Sequence, residues 1–209
     1  PDGRLTAIGH DSLSHSARFD DFYETASTQT RSLYAAPNRL TTHRVVRLDL
    51  PVSDSTRAPG EAVGMLALEQ AMDELAGKLG LDPIELRRRN EPAMDPETNL
   101  PFSTRQLLRC MDEGAERFGW NRRSATPGAV REGRWQIGLG MAAATRGNYL
   151  MDARCAVALD RQGVLTARMS MTDIGAGSYT VFTQIAAEML GLPMEKVRIE
   201  LGDSDFPET

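Results

Sequence analysis

The sequence predicts an α+β fold, with helices dominating the first half of the chain and strands, together with one helix, the second half. Three observations support this. Residues 61–118 contain stretches whose apolar side chains recur every three or four positions, the spacing of a helix with one buried face. Residues 154–171 contain two strand-like runs around a glycine-containing turn. Residues 172–201 continue as a glycine turn, a helix and a strand. Mixed sheets with packed helices are therefore expected.

The composition bounds the class of protein. A chain of 209 residues can bury a substantial core, and its formal net charge of -5 argues against generic nucleic-acid binding, which usually needs a basic face. No apolar run approaches the roughly 18 residues of a membrane span, and no signal peptide is visible. Cys110 and Cys155 are too far apart for a CxxC motif and favour a reducing compartment. We expect a cytoplasmic protein without membrane association, or a periplasmic one if a partner subunit supplies the export signal.

Two strands are predicted near the start of the chain, over residues 3–12 and 44–52. The first alternates apolar and polar residues, and the second has strand composition. Residues 14–38 are polar with scattered aromatic side chains and support no prediction. His10 and His15 are five residues apart, which places them on opposite faces of a strand and favours ordinary histidines over metal ligands.

Three helices are predicted next. The first covers residues 61–79 and ends at Gly80; its apolar stripe consists of Met65, Leu68, Met72, Leu75 and Leu79. The third begins with Ser103 as N-cap and Gln106 three residues later, and it ends at Gly119.

The second helix has the most complete start signal. Asp82 is the predicted N-cap, Pro83 occupies the first helical position and Glu85 completes a capping-box pattern. Residues 87–89 are consecutive arginines, which point in different directions around a helix. We expect most of them to lie on a solvated face and one to be structural.

Residues 120–135 are polar and basic, without an apolar period, and mark the predicted boundary between two parts of the chain. The division is into a helix-rich part, residues 1–125, and a strand-rich part, residues 126–209. Residues 136–145 alternate larger apolar side chains with glycine or alanine, which predicts a further strand.

The glycine turn before the last predicted helix is a candidate anion site. Gly175 and Gly177 precede a helix predicted over residues 179–190, whose first N–H groups and positive dipole end favour a negative ligand. A purely structural turn is the open alternative. The third glycine of a dinucleotide fingerprint is missing and no Gly-Lys-Ser/Thr follows, so a Rossmann domain is disfavoured and a Walker loop is excluded.

Arg57 is a second candidate. It lies among turn-forming residues just before the first long helix, where a guanidinium can be aimed at an oxyanion. The alternative is an ordinary surface arginine.

Three stretches resemble the molybdenum-cofactor-binding subunit of the xanthine dehydrogenase and aldehyde oxidase family. They are RAPGEAVGMLALEQAMDELA (residues 57–76), DPIELRRRN (residues 82–90) and TDIGAGSYTVFTQIAAEMLGLPMEKVRIELGDSD (residues 172–205). The likeness is above all to the bacterial aldehyde-oxidising branch. That subunit is several times longer, so the resemblance implies an internal fragment of a molybdopterin-binding domain of xanthine dehydrogenase type, truncated at both ends.

The resemblance implies an enzyme that oxidises aldehydes or N-heterocycles with oxygen taken from water. Its cofactor would be molybdenum bound to molybdopterin cytosine dinucleotide, whose pyrophosphate suits the helix start. Electrons would pass to an iron–sulfur subunit and then to an FAD subunit. The family's catalytic glutamate, in a Gly-x-Gly-Glu motif, is not among these 209 residues. We therefore expect this stretch alone to be inactive and to hold cofactor weakly or not at all. A non-catalytic binding or assembly module is the alternative.

The resemblance also implies site residues. Arg57 matches the arginine of the molybdenum pocket, implied to orient substrate or stabilise the developing oxyanion. Arg87 matches an arginine near the cofactor. Thr145 and Arg146 fall where substrate-pocket residues lie. The loop against the pterin, with the start of the helix, corresponds to Ile174, Gly175, Ala176, Gly177 and Ser178. Ala176 stands where many relatives have glutamine, so a side-chain hydrogen bond to the cofactor would be missing here. Only backbone contacts to the cofactor would then remain. No metal ligand is expected.

Overall fold

The computed structural model describes residues 2–147 and 150–209 and confirms an α+β fold of mixed sheets and packed helices. The chain divides into two compact units, residues 1–147 and 148–209. The predicted division into residues 1–125 and 126–209 refers to subdomains of the cofactor-binding fold. A division into compact units does not test it, so it stays a prediction. Within the described residues, no helix has the length and apolar character needed to cross a bilayer.

The first unit combines a long strand pair, three helices and a short hairpin. Its elements are β1 (Ala7–Ala17), β2 (Asn38–Leu48), α1 (Glu61–Leu79), α2 (Pro83–Arg89), α3 (Leu107–Phe118), β3 (Arg131–Glu132) and β4 (Trp135–Gln136). The second unit consists of β5 (Ala156–Leu159), β6 (Leu165–Met169), α4 (Ser178–Leu190) and β7 (Val197–Leu201). Short 3-10 helices lie at Thr28–Arg31, Trp120–Arg122 and Met194–Lys196.

Strands β1 and β2 pair in parallel over their full length, in register from Ala7 opposite Asn38 to Ala17 opposite Leu48. Both predicted strands exist, but their predicted bounds were shifted. The hydrogen bonds between paired strands are made by backbone groups, so polar stretches without a clear apolar alternation can also belong to a strand. His10 and His15 both lie on β1, and His10 Nδ1 is 2.7 Å from Thr30 Oγ1.

Helix α1 has the predicted bounds and forms one wall of the core. It ends as predicted at Gly80, whose left-handed backbone (φ 65°) lets its N–H reach the carbonyls of Ala76 and Gly77. All five residues of the predicted apolar stripe are buried or half-buried. The core cluster of the unit consists of Leu33, Tyr34, Leu68, Met72, Ala76, Leu86 and Ala143.

Gly64 allows α1 to lie directly against the backbone of Ala26. A Cβ atom at Gly64 would sit 1.7 Å from the Ala26 carbonyl oxygen, whereas a Cβ at Gly77 meets no atom within 4 Å. We expect Gly64→Ala to lower the free energy of unfolding by about 1–3 kcal/mol or more. Gly77→Ala, the matched control on the same helix, should raise it by about 0.5–1 kcal/mol. Denaturation of the full-length protein measures both, and equal effects would contradict the close packing.

The predicted start of α2 is confirmed, and that of α3 is wrong. Asp82 caps α2, its Oδ1 accepting from the N–H groups of Ile84 and Glu85. Helix α3 begins at Leu107 with no side-chain cap. The nearby Arg105 is bound to Glu91 and to a main-chain carbonyl, which holds this stretch outside the helix. Its predicted end, Gly119, is confirmed.

The strand predicted over residues 136–145 is wrong, because only Gln136 belongs to a strand. The alternation of apolar and small residues suggested a strand, but within the described chain no neighbouring strand pairs with residues 137–147. Ala143 is buried in the core instead, and its N–H donates to a side chain of α1.

The second unit confirms the predicted hairpin, helix and final strand. Strands β5 and β6 are antiparallel, and Gly163 has the expected positive φ of 75° in the turn that joins them. Strands β6 and β7 are parallel, with α4 between them in sequence. The three-stranded sheet therefore joins a hairpin to a β–α–β crossover, and the glycine turn lies where β6 leads into α4.

Candidate functional site

The glycine turn has the backbone geometry that the sequence predicts. Gly175 and Gly177 have φ values of 89° and 82°, and a Cβ at either would meet no atom within 4 Å. Glycine is therefore needed here for conformation rather than for space on the protein side. Ile174 is 88% exposed, and Ala176 is also exposed. The turn presents an open surface to a ligand.

Asp173, a residue that sequence reasoning missed, occupies part of this surface. Its Oδ1 accepts hydrogen bonds from the N–H groups of Gly175 and Ala176, both at 3.0 Å, and from Ser178 Oγ at 3.4 Å. In the part of the chain that the structure describes, residues 177–180 donate no main-chain hydrogen bond to protein. The donors left for an anion are thus the first-turn N–H groups of α4.

Arg57 lies in the turn that leads into α1. The backbone there is tightly fixed, since Ala58 has φ 55°, Gly60 has φ 71°, and a Cβ at Gly60 would lie 2.7 Å from the backbone of Thr25. The Arg57 side chain is exposed, and among the described residues its guanidinium makes no hydrogen bond or ion pair. A rigid backbone therefore presents a guanidinium that is available to a ligand.

Arg146 reaches the same end of α1. Arg146 Nη1 pairs with the carboxylate of Glu61, the first residue of α1, only four positions after Arg57. The Glu61 side chain is 13% exposed and also accepts from Gln29 Nε2 at 3.1 Å. The structure thus brings Arg146 to the helix end that Arg57 precedes. Thr145 is half-buried beside it.

A cavity of about 570 Å3 lies between α3 and residues 140–146. Thr145 and Arg146 line it, together with a largely apolar wall. That wall includes Leu33, Ile84, Leu107, Met111 and Phe118. A cavity with apolar walls and a few polar groups is the usual form of a small-molecule site.

Arg87 is fully buried, with 0% of its surface exposed, and all three guanidinium nitrogens bind protein oxygens. Nε donates to Glu69 Oε2 at 2.9 Å, Nη1 to Asp73 Oδ1 at 2.8 Å and to the Pro83 carbonyl at 3.0 Å, and Nη2 to the Glu69 carbonyl at 3.2 Å. The expectation of one structural arginine among residues 87–89 is confirmed. A contact between Arg87 and the cofactor stays a prediction, and the geometry favours a structural role.

Glu69 is the centre of this network, and sequence reasoning missed it too. It is 6% exposed; Oε1 accepts from the Tyr34 hydroxyl at 2.6 Å, and Oε2 accepts from the Ala143 N–H at 2.6 Å. Burial and the Glu69 charge raise the pKa of Tyr34 well above its ordinary value, so its hydroxyl stays protonated and donates. The sequence did offer one signal for Glu69. It lies four residues after Met65, so it falls on the face of α1 that is predicted to be buried.

Comparison with known proteins decides the family. Residues 1–91 and 113–209 each match a family described as a molybdopterin cofactor-binding domain. Over 206 residues, 98% of this chain, the sequence is 50% identical to the aldehyde oxidoreductase molybdenum-binding subunit PaoC of Escherichia coli K12. The chain belongs to the molybdenum-cofactor-binding subunits of the xanthine dehydrogenase and aldehyde oxidase family. It spans 28% of the length of PaoC.

Other members of this molybdenum-cofactor-binding family are more distant. The chain is 30% identical over 161 residues to the putative xanthine dehydrogenase molybdenum-binding subunit XdhA of E. coli K12, covering 72% of this chain and 21% of that subunit. Solved structures show the same fold. The aldehyde oxidoreductase of Desulfovibrio desulfuricans matches 99% of this chain with a TM-score of 0.71 at 24% identity, and CO dehydrogenase of Oligotropha carboxidovorans matches all of it with a TM-score of 0.70 at 19% identity. This chain covers 24% and 30% of them.

Proposed function

We propose that this chain is part of a molybdenum hydroxylase that oxidises aldehydes, or N-heterocycles, with oxygen derived from water. The observation that carries the proposal is the 50% identity over nearly the whole chain to a subunit described as an aldehyde oxidoreductase. The site geometry supports it, since one unit offers anion donors, and the other offers the available guanidinium of Arg57 and a cavity lined by Thr145 and Arg146.

The second unit is proposed to bind the phosphate groups of molybdopterin cytosine dinucleotide. The N–H groups of residues 177–180 suit an anion, and the surface is open, since a Cβ at Gly175 or Gly177 would meet no atom within 4 Å. Ala176 adds no side-chain hydrogen bond, and its N–H and that of Gly175 are bound to Asp173. The proposed contacts therefore come mainly from the start of α4.

The first unit is proposed to bind and orient the substrate. Arg57 donates hydrogen bonds to the substrate oxygen and stabilises negative charge that develops there. Thr145 and Arg146 line the pocket that holds the rest of the molecule. The molybdenum group, when bound, supplies the two-electron oxidation.

The remaining components are proposed to lie outside this stretch. An iron–sulfur subunit and an FAD subunit accept the electrons, and a glutamate elsewhere in the full-length subunit acts as the base. These 209 residues alone are then inactive and hold the cofactor weakly or not at all. The proposed compartment is the cytoplasm, with export through a partner's signal as the alternative.

Isotope labelling tests the proposed reaction in the full-length assembly. With an aldehyde, a dye as electron acceptor and 18O2 in unlabelled water, the carboxylic acid should carry no label, and the activity should be lost when the host is grown with tungstate in place of molybdate. Oxidation that takes its oxygen from O2, or that is unaffected by tungstate, would contradict the proposal. Dye reduction without NAD separates this reaction from that of a nicotinamide-dependent enzyme.

Gly177→Ala should lower the cofactor content of the full-length assembly. Alanine at φ 82° strains the backbone by about 1 kcal/mol and distorts the proposed phosphate donors. Gly191→Ala is the matched control, because Gly191 ends the same helix with φ 64° and equally open surroundings. Molybdenum and nucleotide assays measure the content. Equal losses in both variants would show that strain, rather than ligand contact, explains the effect.

A further inference from the structure

Residues 141–146 form a loosely held segment. They contain neither helix nor strand, and residues 141–144 separate two cavities of about 570 and 550 Å3, one beside α3 and the other beside α1. Within the described chain, Ala143 provides the only main-chain N–H of this segment that donates to protein. The other polar contact of the segment among the described residues is the ion pair between Arg146 and Glu61. Both ties end on α1, so this helix holds the segment in place.

The acceptor for Ala143 is itself rigidly held. Glu69 Oε2 receives Arg87 Nε at 2.9 Å, and Glu69 Oε1 receives the Tyr34 hydroxyl at 2.6 Å. Asp73 and the Pro83 carbonyl fix the other side of Arg87. The Glu69 carboxylate therefore cannot rotate without breaking several buried bonds. A charged acceptor in a buried setting also makes a stronger bond to an N–H than a neutral one.

We propose that Glu69 is a positioning residue that fixes residues 141–146 and thereby sets Thr145 and Arg146 at the substrate pocket. The Ala143 N–H lies two residues before Thr145, and the flanking cavities leave room for the segment to shift if that bond is lost. The second half of the proposal rests on the proposed function, which assigns Thr145 and Arg146 to the pocket. The first half concerns this chain alone.

Amide hydrogen exchange of the full-length assembly tests the first half. In Glu69→Leu, peptides covering residues 141–146 should exchange about tenfold faster or more, because a buried charge-assisted bond is lost. Glu69→Gln should keep much of the protection, since its amide oxygen can face Ala143 while its NH2 faces the Tyr34 hydroxyl. Glu74→Gln removes an exposed carboxylate from the same helix and should change nothing. Unchanged protection in Glu69→Leu would overturn the proposal.

Steady-state kinetics tests the second half. At equal molybdenum content, Glu69→Leu should lower kcat/KM for the aldehyde by about tenfold or more through misplacement of the pocket residues, and Glu69→Gln should restore most of it. Faster exchange with unchanged kinetics would overturn the assignment of Thr145 and Arg146 to the pocket while leaving the role of Glu69 in holding the segment. The two failures are thus distinguishable.

If Glu69→Leu does not fold, a substitution at Ala143, whose N–H donates to Glu69, tests the proposal instead. Ala143→Pro removes the N–H and leaves Glu69 with Arg87 and Tyr34, so at equal molybdenum content it should reproduce the kinetic loss. Ala142→Pro is the matched control, because within the described chain the N–H of Ala142 donates to no protein acceptor. Equal effects of the two proline variants would overturn the proposal.

Discussion

Arg57→Ala in the full-length assembly is expected to lower kcat/KM for aldehyde oxidation by about 100- to 1,000-fold, the usual effect of removing a group that stabilises an oxyanion. The structure gives Arg57 a fixed backbone and an exposed guanidinium without a protein partner among the described residues. Arg57→Lys should recover only part of the loss, because an ammonium lacks the planar pair of donors. Dye-linked kinetics measures the effect.

The control for Arg57 is an arginine without a proposed role. Arg109 on α3 is exposed and pairs with Glu113, so Arg109→Ala should leave kcat/KM unchanged. Molybdenum content should stay equal in all these variants, since Arg57 is proposed to act on substrate. A near-normal kcat/KM in Arg57→Ala would contradict the proposed role of Arg57 in the substrate pocket.

Arg87→Met is expected to lower the free energy of unfolding by about 3–5 kcal/mol, the cost of leaving a buried charge without its partner. Glu69 would remain buried with its negative charge, bound only by Tyr34 and the Ala143 N–H. The same arginine ties α1 to α2, so the loss should affect the core of the first unit. Thermal or chemical denaturation of the full-length protein measures the change.

Arg88→Met is the matched control for Arg87. Arg88 is adjacent on α2 but partly exposed, and it pairs with the exposed Asp112, so its removal should cost clearly less because water screens such pairs. Equal destabilisation by the two substitutions would contradict the structural role assigned to the buried network.

The elements predicted correctly are those whose signals are local. The bounds of α1 follow from its apolar period and from Gly80, and the start of α2 follows from Asp82, whose carboxylate caps main-chain donors two and three residues away. The start of α3 could not be found this way, because Arg105 is held by Glu91, which is fourteen residues earlier. The wrong strand prediction over residues 136–145 also reflects a missing long-range contact. A strand needs a neighbouring strand to pair with, and the sequence of one stretch does not show whether such a partner exists.

The sequence predicts which residue types form the candidate site, but it does not predict the hydrogen bonds and ion pairs between them. The positive φ at Gly175 and Gly177 was expected from glycine alone, but the capture of two N–H groups by Asp173 depends on how the turn closes. The convergence of Arg146 on Glu61 joins residues 85 positions apart. Glu69 was missed because its partners Tyr34, Arg87 and Ala143 are distant in sequence, and only these partners explain a buried carboxylate.

The molybdenum and nucleotide content of the full-length assembly tests the central claim most directly. The protein should be purified from a host that makes the cofactor and analysed for molybdenum and, after acid hydrolysis, for cytidine monophosphate. The proposed function predicts equimolar amounts of both relative to the subunit. Absence of both from correctly folded protein would contradict it.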